Sequence, residues 1–453
     1  MAFFIHFNLN SCFAINIKKP IMSNQPEKSV GIKSFPKNFW TVIVMEFFER
    51  GSYYGVMSVL SVYLILDINQ GGLGFSKESV GVIKSVITPL LYFLPILSGA
   101  IADQFGYRKT LMFAFVVMSL GYFCTSISTS YFAVFLSLLL MVTGAGTFKP
   151  IISGTIARTT NEDNSSLGFG IYYWSINLGA FLFPLFLIPY LKGFGWSYIF
   201  IMASAFTGSL LLLNIFVFKE PQRNTTTKSI VDVFKGMVLV LKDYKFFLMI
   251  LIYSGFWILY FQMFDTVLWY LKEYMDMTPV NNAVNTFLSL FMDHPKWAFD
   301  AEHVTVISAG TIIALQLLIS NIVKHKKAMP TIITGITFGT IGMGILAIST
   351  YAWVFMIGLV IFSIGEMTAH PKFISYVGLI APEDKKALYL GYSFLYGVIG
   401  SGIGGVLGAF TYVKFVTQMG RPGLLWFMFS MIGVATIIGL LLYNKYLAPK
   451  KSV

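Results

Sequence analysis

The side chains best suited to chemistry lie in one short stretch near the start of the chain. Two carboxylates, a guanidinium and two phenols occur there at spacings of three and four residues: Glu46, Glu49, Arg50, Tyr53 and Tyr54. Residues so spaced share one face of a helix. The surrounding apolar run, 39–66, is long enough to cross a bilayer. Ionisable groups in a membrane are costly and usually functional, so we expect these side chains to line a polar cavity. An ion cluster that only fixes the helix is the structural alternative.

The composition is that of a polytopic membrane protein. The 453 residues are 56% hydrophobic and 11% charged, whereas a soluble protein has about 25% charged residues. The net charge of +12 does not indicate nucleic acid here, because the basic residues lie mostly in short loops that set orientation. Cys12 and Cys124 have no partner spacing, so neither a disulfide framework nor a zinc site is expected. Walker, HExxH and GxSxG motifs are absent from the sequence, so we expect no ATPase or hydrolase activity.

About twelve apolar runs of roughly 20 residues predict an all-α fold of membrane-spanning helices. They lie near 39–66, 79–102, 108–128, 131–157, 167–191, 196–218, 245–271, 303–323, 328–349, 351–380, 388–412 and 423–446. The basic connection 219–244 divides these spans into two sets of six. By the positive-inside rule it is cytoplasmic, which predicts that both termini are cytoplasmic too.

This division predicts five regions of the chain. They are an N-terminal tail 1–38, a six-helix bundle 39–218, a cytoplasmic linker 219–244, a second six-helix bundle 245–446 and a C-terminal tail 447–453. Residues 1–21 lack the basic start of a secretory signal, and a mis-called start is at least as good an interpretation as a targeting role. The long acidic loop 272–302 contains a candidate interfacial helix. Gly400, Gly404 and Gly408 have the spacing of close helix packing.

The loop between the second and third spans gives the first family resemblance. Residues 99–109 read Gly-Ala-Ile-Ala-Asp-Gln-Phe-Gly-Tyr-Arg-Lys. This segment resembles the G-x-x-x-D-x-x-G-R-[KR] loop of the major facilitator superfamily. The resemblance implies a fold of two six-helix bundles with the substrate near the midplane between them.

Four further segments resemble the proton-dependent oligopeptide transporters (POT family) of that superfamily. The Glu-x-x-Glu-Arg-x-x-Tyr-Tyr pattern of 46–54 resembles the first-helix signature of the POT family, and 148–150 resembles its Phe-Lys-Pro motif. The stretch 172–179, Tyr-Tyr-Trp-Ser-Ile-Asn-Leu-Gly, resembles its fifth-helix signature. Gly365 and Glu366, with prolines at 371 and 382, resemble its tenth-helix signature.

This resemblance implies a role for each matching residue. The residues implied in proton coupling are Glu46, Glu49, Arg50 and Glu366. The residues implied in substrate binding are Arg50, Tyr53, Tyr54, Lys149, Asn177, Trp257, Gln262 and Glu366. Such a set is chemically sensible, because a zwitterionic peptide needs both a cationic and an anionic partner in a low-dielectric cavity. A carboxylate beside Arg50 can also exchange that pairing for a proton, which couples protonation to the site.

The chain departs from the POT family at three places. Met57 and Phe261 stand where the family usually has a basic residue and a glutamate, often described as a gating pair across the two halves. Asp265, one turn from Phe261, is a candidate replacement for the missing carboxylate. His370 stands where a serine is usual and, four residues after Glu366, shares its helix face, so its imidazole could titrate near neutral pH.

We therefore predict proton-coupled symport of di- or tripeptides, or similar small zwitterions, across the cytoplasmic membrane by alternating access. The expected partners are the substrate, protons and the lipid bilayer, with no nucleic acid, no metal and no cofactor besides the proton gradient. We expect a monomer and no enzymatic activity. A divergent transporter of a non-peptide solute and a non-transporting peptide sensor are the alternatives. Lys84 is interpreted either as a cavity residue or as a snorkelling lysine.

Overall fold

The computed structural model describes residues 32–161, 164–221, 230–382 and 385–449. The prediction for residues 1–21 lies outside these ranges. The described residues are almost entirely helix and short connection, and their one β-type contact is an isolated bridge between Asp276 and Tyr351. The all-α class is therefore confirmed.

Seven helices form the N-terminal half as described. They are α1 (Lys37–Ile65), α2 (Lys77–Phe105), α3 (Tyr107–Ile127), α4 (Tyr131–Thr159), α5 (Ser165–Leu182), α6 (Ile188–Lys192) and α7 (Trp196–Phe216). A π-helical turn at Phe183–Leu187 joins α5 to α6, so that these two helices make one span.

Ten helices follow in the described C-terminal part. They are α8 (Ile230–Lys242), α9 (Tyr244–Phe261), α10 (Thr266–Tyr274), α11 (Thr278–Leu288), α12 (Ala301–Val323), α13 (Ala328–Ile348), α14 (Ala352–Ile380), α15 (Lys386–Ser393), α16 (Leu395–Tyr412) and α17 (Pro422–Tyr446).

The number of membrane spans agrees with the sequence. Eleven spans in the described residues are long and apolar enough to cross a membrane. The 29-residue α1 makes the twelfth long helix, and its charged and polar residues keep it out of that set. One predicted span is not continuous: within 245–271, a 3₁₀ turn at Gln262–Phe264 separates α9 from α10. Asp265 lies at this break, outside regular helix.

The helices pack in two groups that meet along two seams. In the N-terminal half α3 packs on α4 and α7, and α1 packs on α5; in the C-terminal half α13 packs on α14 and α17, and α9 packs on α16. Across the halves α2 packs on α16 and α5 packs on α12. Any space between the two halves must therefore lie between these two seams.

Small residues allow the close approach of α2 and α16. A Cβ on Gly405 would lie 2.5 Å from Ser85 Oγ, and a Cβ on Gly81 would lie 2.4 Å from the Cβ of Ala409. The predicted packing role of Gly400 also holds, because a Cβ there would lie 2.6 Å from the Cβ of Trp257 on α9. Small residues serve this purpose in lipid, where close van der Waals packing drives helix association.

The two sides of the molecule can be distinguished by their connections. On one side, here called the linker side, α1 begins, α17 ends, and Asn38 donates a hydrogen bond to the carbonyl of Lys219 at 3.0 Å. The opposite side, here called the far side, carries the segment 275–300. That segment contains α11. The side chain of Asn285 forms hydrogen bonds of 2.8 Å with the backbone carbonyl and the backbone nitrogen of Trp297, which hold the later part of the segment against α11.

Candidate functional site

The acidic and basic residues of α1 form one buried ion cluster. Arg50 donates two hydrogen bonds to the carboxylate of Glu49, at 2.5 and 2.6 Å, and its Nε lies 3.8 Å from Glu46. All three side chains are at most 3% exposed. The second oxygen of Glu46 is buried with no hydrogen-bond partner among the described residues. The cluster therefore holds one paired carboxylate and one that is only partly paired.

Two tyrosines on the same face of α1 separate this cluster from the space between the halves. The guanidinium carbon of Arg50 lies 4.7 Å from the ring centre of Tyr53 and 6.0 Å from that of Tyr54. These distances are within the range of cation–π attraction. Glu46, Glu49 and Arg50 thus lie behind Tyr53 and Tyr54, and a ligand in the cavity meets the tyrosines first.

A cavity of about 250 Å³ lies between the two halves. Both halves contribute to its wall. Six of the residues singled out from the sequence line it: Tyr54, Lys149, Asn177, Trp257, Glu366 and His370. Residues from five separate helices, distant in the sequence, are therefore brought to one site.

The cavity wall holds one amine and one carboxyl side chain. Lys149 of α4 lies with its ammonium nitrogen 5.5 Å from the ring centre of Tyr92, and Glu366 of α14 lies in the C-terminal half. Neither side chain forms an ion pair with another described residue. An unpaired charge in a low-dielectric site is costly, so each group is available to a ligand of opposite charge.

Aromatic rings form much of the remaining wall. Trp257 stacks on Tyr396 with ring centres 4.5 Å apart and meets the His370 ring edge-on at 5.2 Å. Asn177 uses its amide nitrogen to bond the carbonyl of Tyr173 at 2.9 Å, which orients its amide group. The wall thus combines aromatic and aliphatic surface with polar groups that can orient a ligand.

Several wall residues were not singled out from the sequence. They are Tyr92, Tyr260, Thr305, Ser308, Ser363 and Tyr396. Their only sequence signal is a polar or aromatic residue within a span, which packing between helices explains equally well.

A smaller compartment of about 30 Å³ adjoins the cavity toward the far side. Met57 and Phe261, the two departures from the POT pattern, both line it. Lys84 and Asp265 line the same compartment and form an ion pair of 3.1 Å, with both residues at most 5% exposed. Of the two interpretations of Lys84, the structure therefore favours the cavity residue over the snorkelling one. It also brings Asp265 next to the position of the missing carboxylate.

Gln262 does not lie in the wall of either compartment. It is fully buried, and its amide nitrogen donates to the carbonyls of Ile258 at 2.9 Å and Gly404 at 3.1 Å. Its amide oxygen accepts a bond of 3.0 Å from the hydroxyl of Thr266. The prediction of a substrate contact is corrected here, because the 3₁₀ turn aims this side chain at α16 and it stabilises helix packing.

Further ion pairs join the two halves on the far side. Lys77 of α2 pairs with Glu273 of α10 at 2.7 Å. At the other seam, Lys192 pairs with Glu302 at 2.6 Å and with Asp300 at 2.8 Å. Burial alone would raise the pKa of the Asp300 carboxyl, but the ammonium of Lys192, with help from other groups, lowers that pKa to about 2. Asp300 is therefore charged throughout the physiological range.

The segment 99–109 forms several polar contacts on the linker side. Asp103 pairs with Arg158 at 3.0 Å. The carboxylate of Glu220 accepts bonds from the backbone nitrogens of Tyr107 and Arg108 at 2.7 and 2.8 Å, at the start of α3. A carboxylate at a helix N-terminus is stabilising, so this loop ties α3 to the end of the N-terminal half.

Comparisons with known proteins agree with this arrangement. Residues 42–405 match the family model described as Major Facilitator Superfamily. A protein of Bacillus subtilis (strain 168) called "Uncharacterized transporter YclF" is 33% identical over 199 residues, which cover 43% of this chain and 40% of that protein. "Dipeptide and tripeptide permease A" of Citrobacter koseri is 31% identical over 203 residues, covering 43% of this chain and 39% of the permease. These matches thus span about two fifths of the length of the curated relatives.

The fold is shared over nearly the whole chain. A solved structure described as "peptide transporter POT in complex with sulfate" superposes with a TM-score of 0.76, covering 93% of this chain and 96% of that one at 18% identity. The predicted fold of two six-helix bundles is therefore confirmed. By its family match the chain belongs to the Major Facilitator Superfamily, and its resemblance to the POT transporters of that superfamily is confirmed by the relatives and the fold.

Proposed function

We propose that this protein carries small peptides across the cytoplasmic membrane together with protons. The observation that supports this most is that an amine and a carboxyl group without ion-pair partners among the described residues line one cavity, Lys149 in the N-terminal half and Glu366 in the C-terminal half. A dipeptide carries a carboxylate at one end and an ammonium at the other. Binding it would satisfy both wall groups at once, which no singly charged ligand can do.

The buried cluster of α1 is proposed to couple this binding to protons. Glu49 pairs with Arg50. A proton on Glu49 would release the guanidinium, which could then turn past Tyr53 and Tyr54 toward the substrate carboxylate. The partly paired Glu46 offers a second proton-accepting group beside it. Proton and substrate would therefore bind as a unit.

Alternating access is proposed to follow from the ion pairs between the halves. The three sets found in the described residues all lie toward the far side of the cavity: Lys77 with Glu273, Lys84 with Asp265, and Lys192 with Asp300 and Glu302. They would close that side, while the linker side is the predicted cytoplasmic exit. The pair of Lys84 and Asp265 takes the gating position that Met57 and Phe261 leave without charge.

The decisive experiment is uptake of labelled dialanine into proteoliposomes with and without an inward proton gradient. Wild type and Glu49→Gln are compared, with Glu78→Gln as the matched control, because Glu78 lies in the first turn of α2 and lines neither compartment. We expect wild type and the control to accumulate dialanine only with the gradient. Glu49→Gln should retain exchange of internal for external dialanine and lose accumulation.

Other outcomes identify the alternatives. Dialanine binding without uptake by correctly inserted wild type would indicate a sensor. Neither binding nor uptake of dialanine would indicate another solute, and the wall near Met57 and Phe261 would then be the first place to look for its specificity. Accumulation by Glu49→Gln equal to wild type would contradict the coupling role of the α1 cluster.

A further inference from the structure

His370 occupies a special place in the wall of the cavity. It lies on α14, one helical turn after Glu366 and on the same face, and both residues line the cavity. Its ring meets Trp257 edge-on at 5.2 Å and Tyr396 at 5.6 Å, which fixes its orientation. Its Nδ1 atom is buried with no hydrogen-bond partner among the described residues. The cavity wall therefore contains an imidazole whose Nδ1 atom can accept or donate a further hydrogen bond.

The proposed function, on which this inference rests, creates a need for such a group. No described cation pairs with Glu366. A buried carboxylate without a partner is far less costly when it carries a proton. When the ammonium of a peptide arrives, Glu366 must be ionised to bind it, so its proton has to move to a nearby base.

The other titratable groups around the cavity are poor acceptors for that proton. The titratable groups that α1, α2, α5, α9 and α16 contribute to the wall are all phenols: Tyr54, Tyr92, Tyr173, Tyr260 and Tyr396. Neutral phenols are weak bases. Lys149 of α4 is the proposed partner of the substrate carboxylate. The polar wall groups of α12 are the hydroxyls of Thr305 and Ser308. Neutral imidazole is the one ordinary base in this described set.

The direction of α14 places His370 between Glu366 and the linker side. The helix runs from the far side to the linker side, so His370 is about one turn, roughly 5 Å, closer than Glu366 to the linker side. Beyond it, Lys372 donates hydrogen bonds to the carbonyls of Lys324 and Lys326 at that surface, at 3.2 and 3.0 Å. A proton on His370 is therefore nearer to the predicted cytoplasm.

We propose that His370 relays the proton that Glu366 releases when substrate binds. The O–H bond of the Glu366 carboxyl breaks, a ring nitrogen of His370 takes the proton directly or through water, and a carboxylate and an imidazolium result. The imidazolium then gives its proton to water on the linker side and returns to the neutral base. After the peptide has left on the linker side and the cavity has turned to the far side, Glu366 takes up its next proton there, so that one proton is carried for each ammonium bound by Glu366.

The test measures the proton-to-peptide ratio in proteoliposomes, from the membrane potential at which net dialanine flux reverses. Wild type, His370→Gln and the matched control His325→Gln, a change in the exposed loop after α12, are compared. His370→Gln should lower the ratio by one and slow proton-driven accumulation by roughly 100-fold, the low end for loss of a proton-transferring group. Its exchange of dialanine, which needs no net proton transport, should persist at a reduced rate, because water can still accept the Glu366 proton slowly.

Two results would overturn the relay. One is an unchanged ratio in His370→Gln, and the other is a loss of exchange together with accumulation, which would make His370 a substrate contact. Wild type that never accumulates dialanine would instead reject the proposed function itself.

A second measurement does not depend on the variant folding. Infrared difference spectra of wild type with labelled histidine should show an imidazolium signal when dialanine is added, and its absence would also reject the relay.

Discussion

At the scale of single residues, the proposed recognition of charge rests on two groups that form no ion pair with another described residue. Lys149 and Glu366 lie on opposite halves, whereas Arg50 is held by Glu49 behind the tyrosines. In the proposed mechanism the free energy available to a ligand is therefore largest at Lys149 and Glu366. Arg50 would contribute only after its pair with Glu49 opens.

We predict that Glu366→Gln weakens binding of dialanine more than any neutral change nearby. Loss of a hydrogen bond to a charged group costs about 1.5–3 kcal/mol, which corresponds to a rise in Kd of roughly 10- to 150-fold. Titration of purified protein with dialanine measures this Kd. Glu78→Gln serves again as the control, and equal affinity in the two variants would show that Glu366 does not bind the ammonium.

At the scale of elements, the seam between α2 and α16 depends on the absence of side chains. A Cβ on Gly405 would lie 2.9 Å from the backbone nitrogen of Ser85 and 2.5 Å from its hydroxyl oxygen. Both distances are too short for a real Cβ. Gly402, one turn away on the same helix, would place a Cβ at 3.4 Å from Pro89, an ordinary contact. The two glycines therefore form a natural comparison.

Gly405→Ala should destabilise the protein by about 1–3 kcal/mol, because overpacking forces the two helices apart. Gly402→Ala should be neutral or stabilising, since alanine favours a helix by about 1 kcal/mol over glycine. Thermal unfolding in detergent compares the two variants. A Gly405→Ala variant as stable as Gly402→Ala would show that the seam is looser than described.

At the scale of the whole molecule, the halves are joined on the far side by ion pairs, of which that between Lys84 and Asp265 is buried. Lys84 and Asp265 are both nearly inaccessible, so neither can be left alone without a large cost. Their pairing connects α2 with the break between α9 and α10, and thereby connects the two halves directly beside the cavity.

Asp265→Leu alone should destabilise the protein by about 3–5 kcal/mol, because the buried ammonium of Lys84 loses its partner. The double variant Lys84→Met, Asp265→Leu should recover most of that stability, since apolar pairs replace buried ion pairs well. Unfolding in detergent gives the stability, and uptake gives the role in gating. Unchanged uptake and pH profile in Asp265→Asn would rule out a gating role.

The ion pairs of Lys192 with Asp300 and Glu302 should persist across the physiological pH range. The pKa of Asp300 is lowered from its usual value to about 2, so its stabilising effect is full above about pH 4 and is lost as the pH falls toward 2. The shift corresponds to about 2 kcal/mol. Unfolding of wild type and Asp300→Asn should therefore differ at pH 5 to 7 and converge near pH 2. A difference that persists at pH 2 would contradict this assignment.

The sequence by itself determined the spans, their number and the chemistry of α1. These features depend on local information, namely the length of apolar runs and side chains spaced by one helical turn. Helix bounds such as Lys37–Ile65 and Ala352–Ile380 fall within a few residues of the runs that predict them. The same local pattern brought Glu46, Glu49 and Arg50 together as expected.

Only the tertiary structure decided which side chains share a cavity. Lys84 and Asp265, which form an ion pair, are far apart in the sequence. The direction of the Gln262 side chain depends on a 3₁₀ turn that cannot be recognised within the continuous apolar run. Contacts of this kind depend on how two helices rotate against each other. That rotation is set by the packing of both halves together, as at Gly405 and Ser85, and no local stretch of sequence contains it.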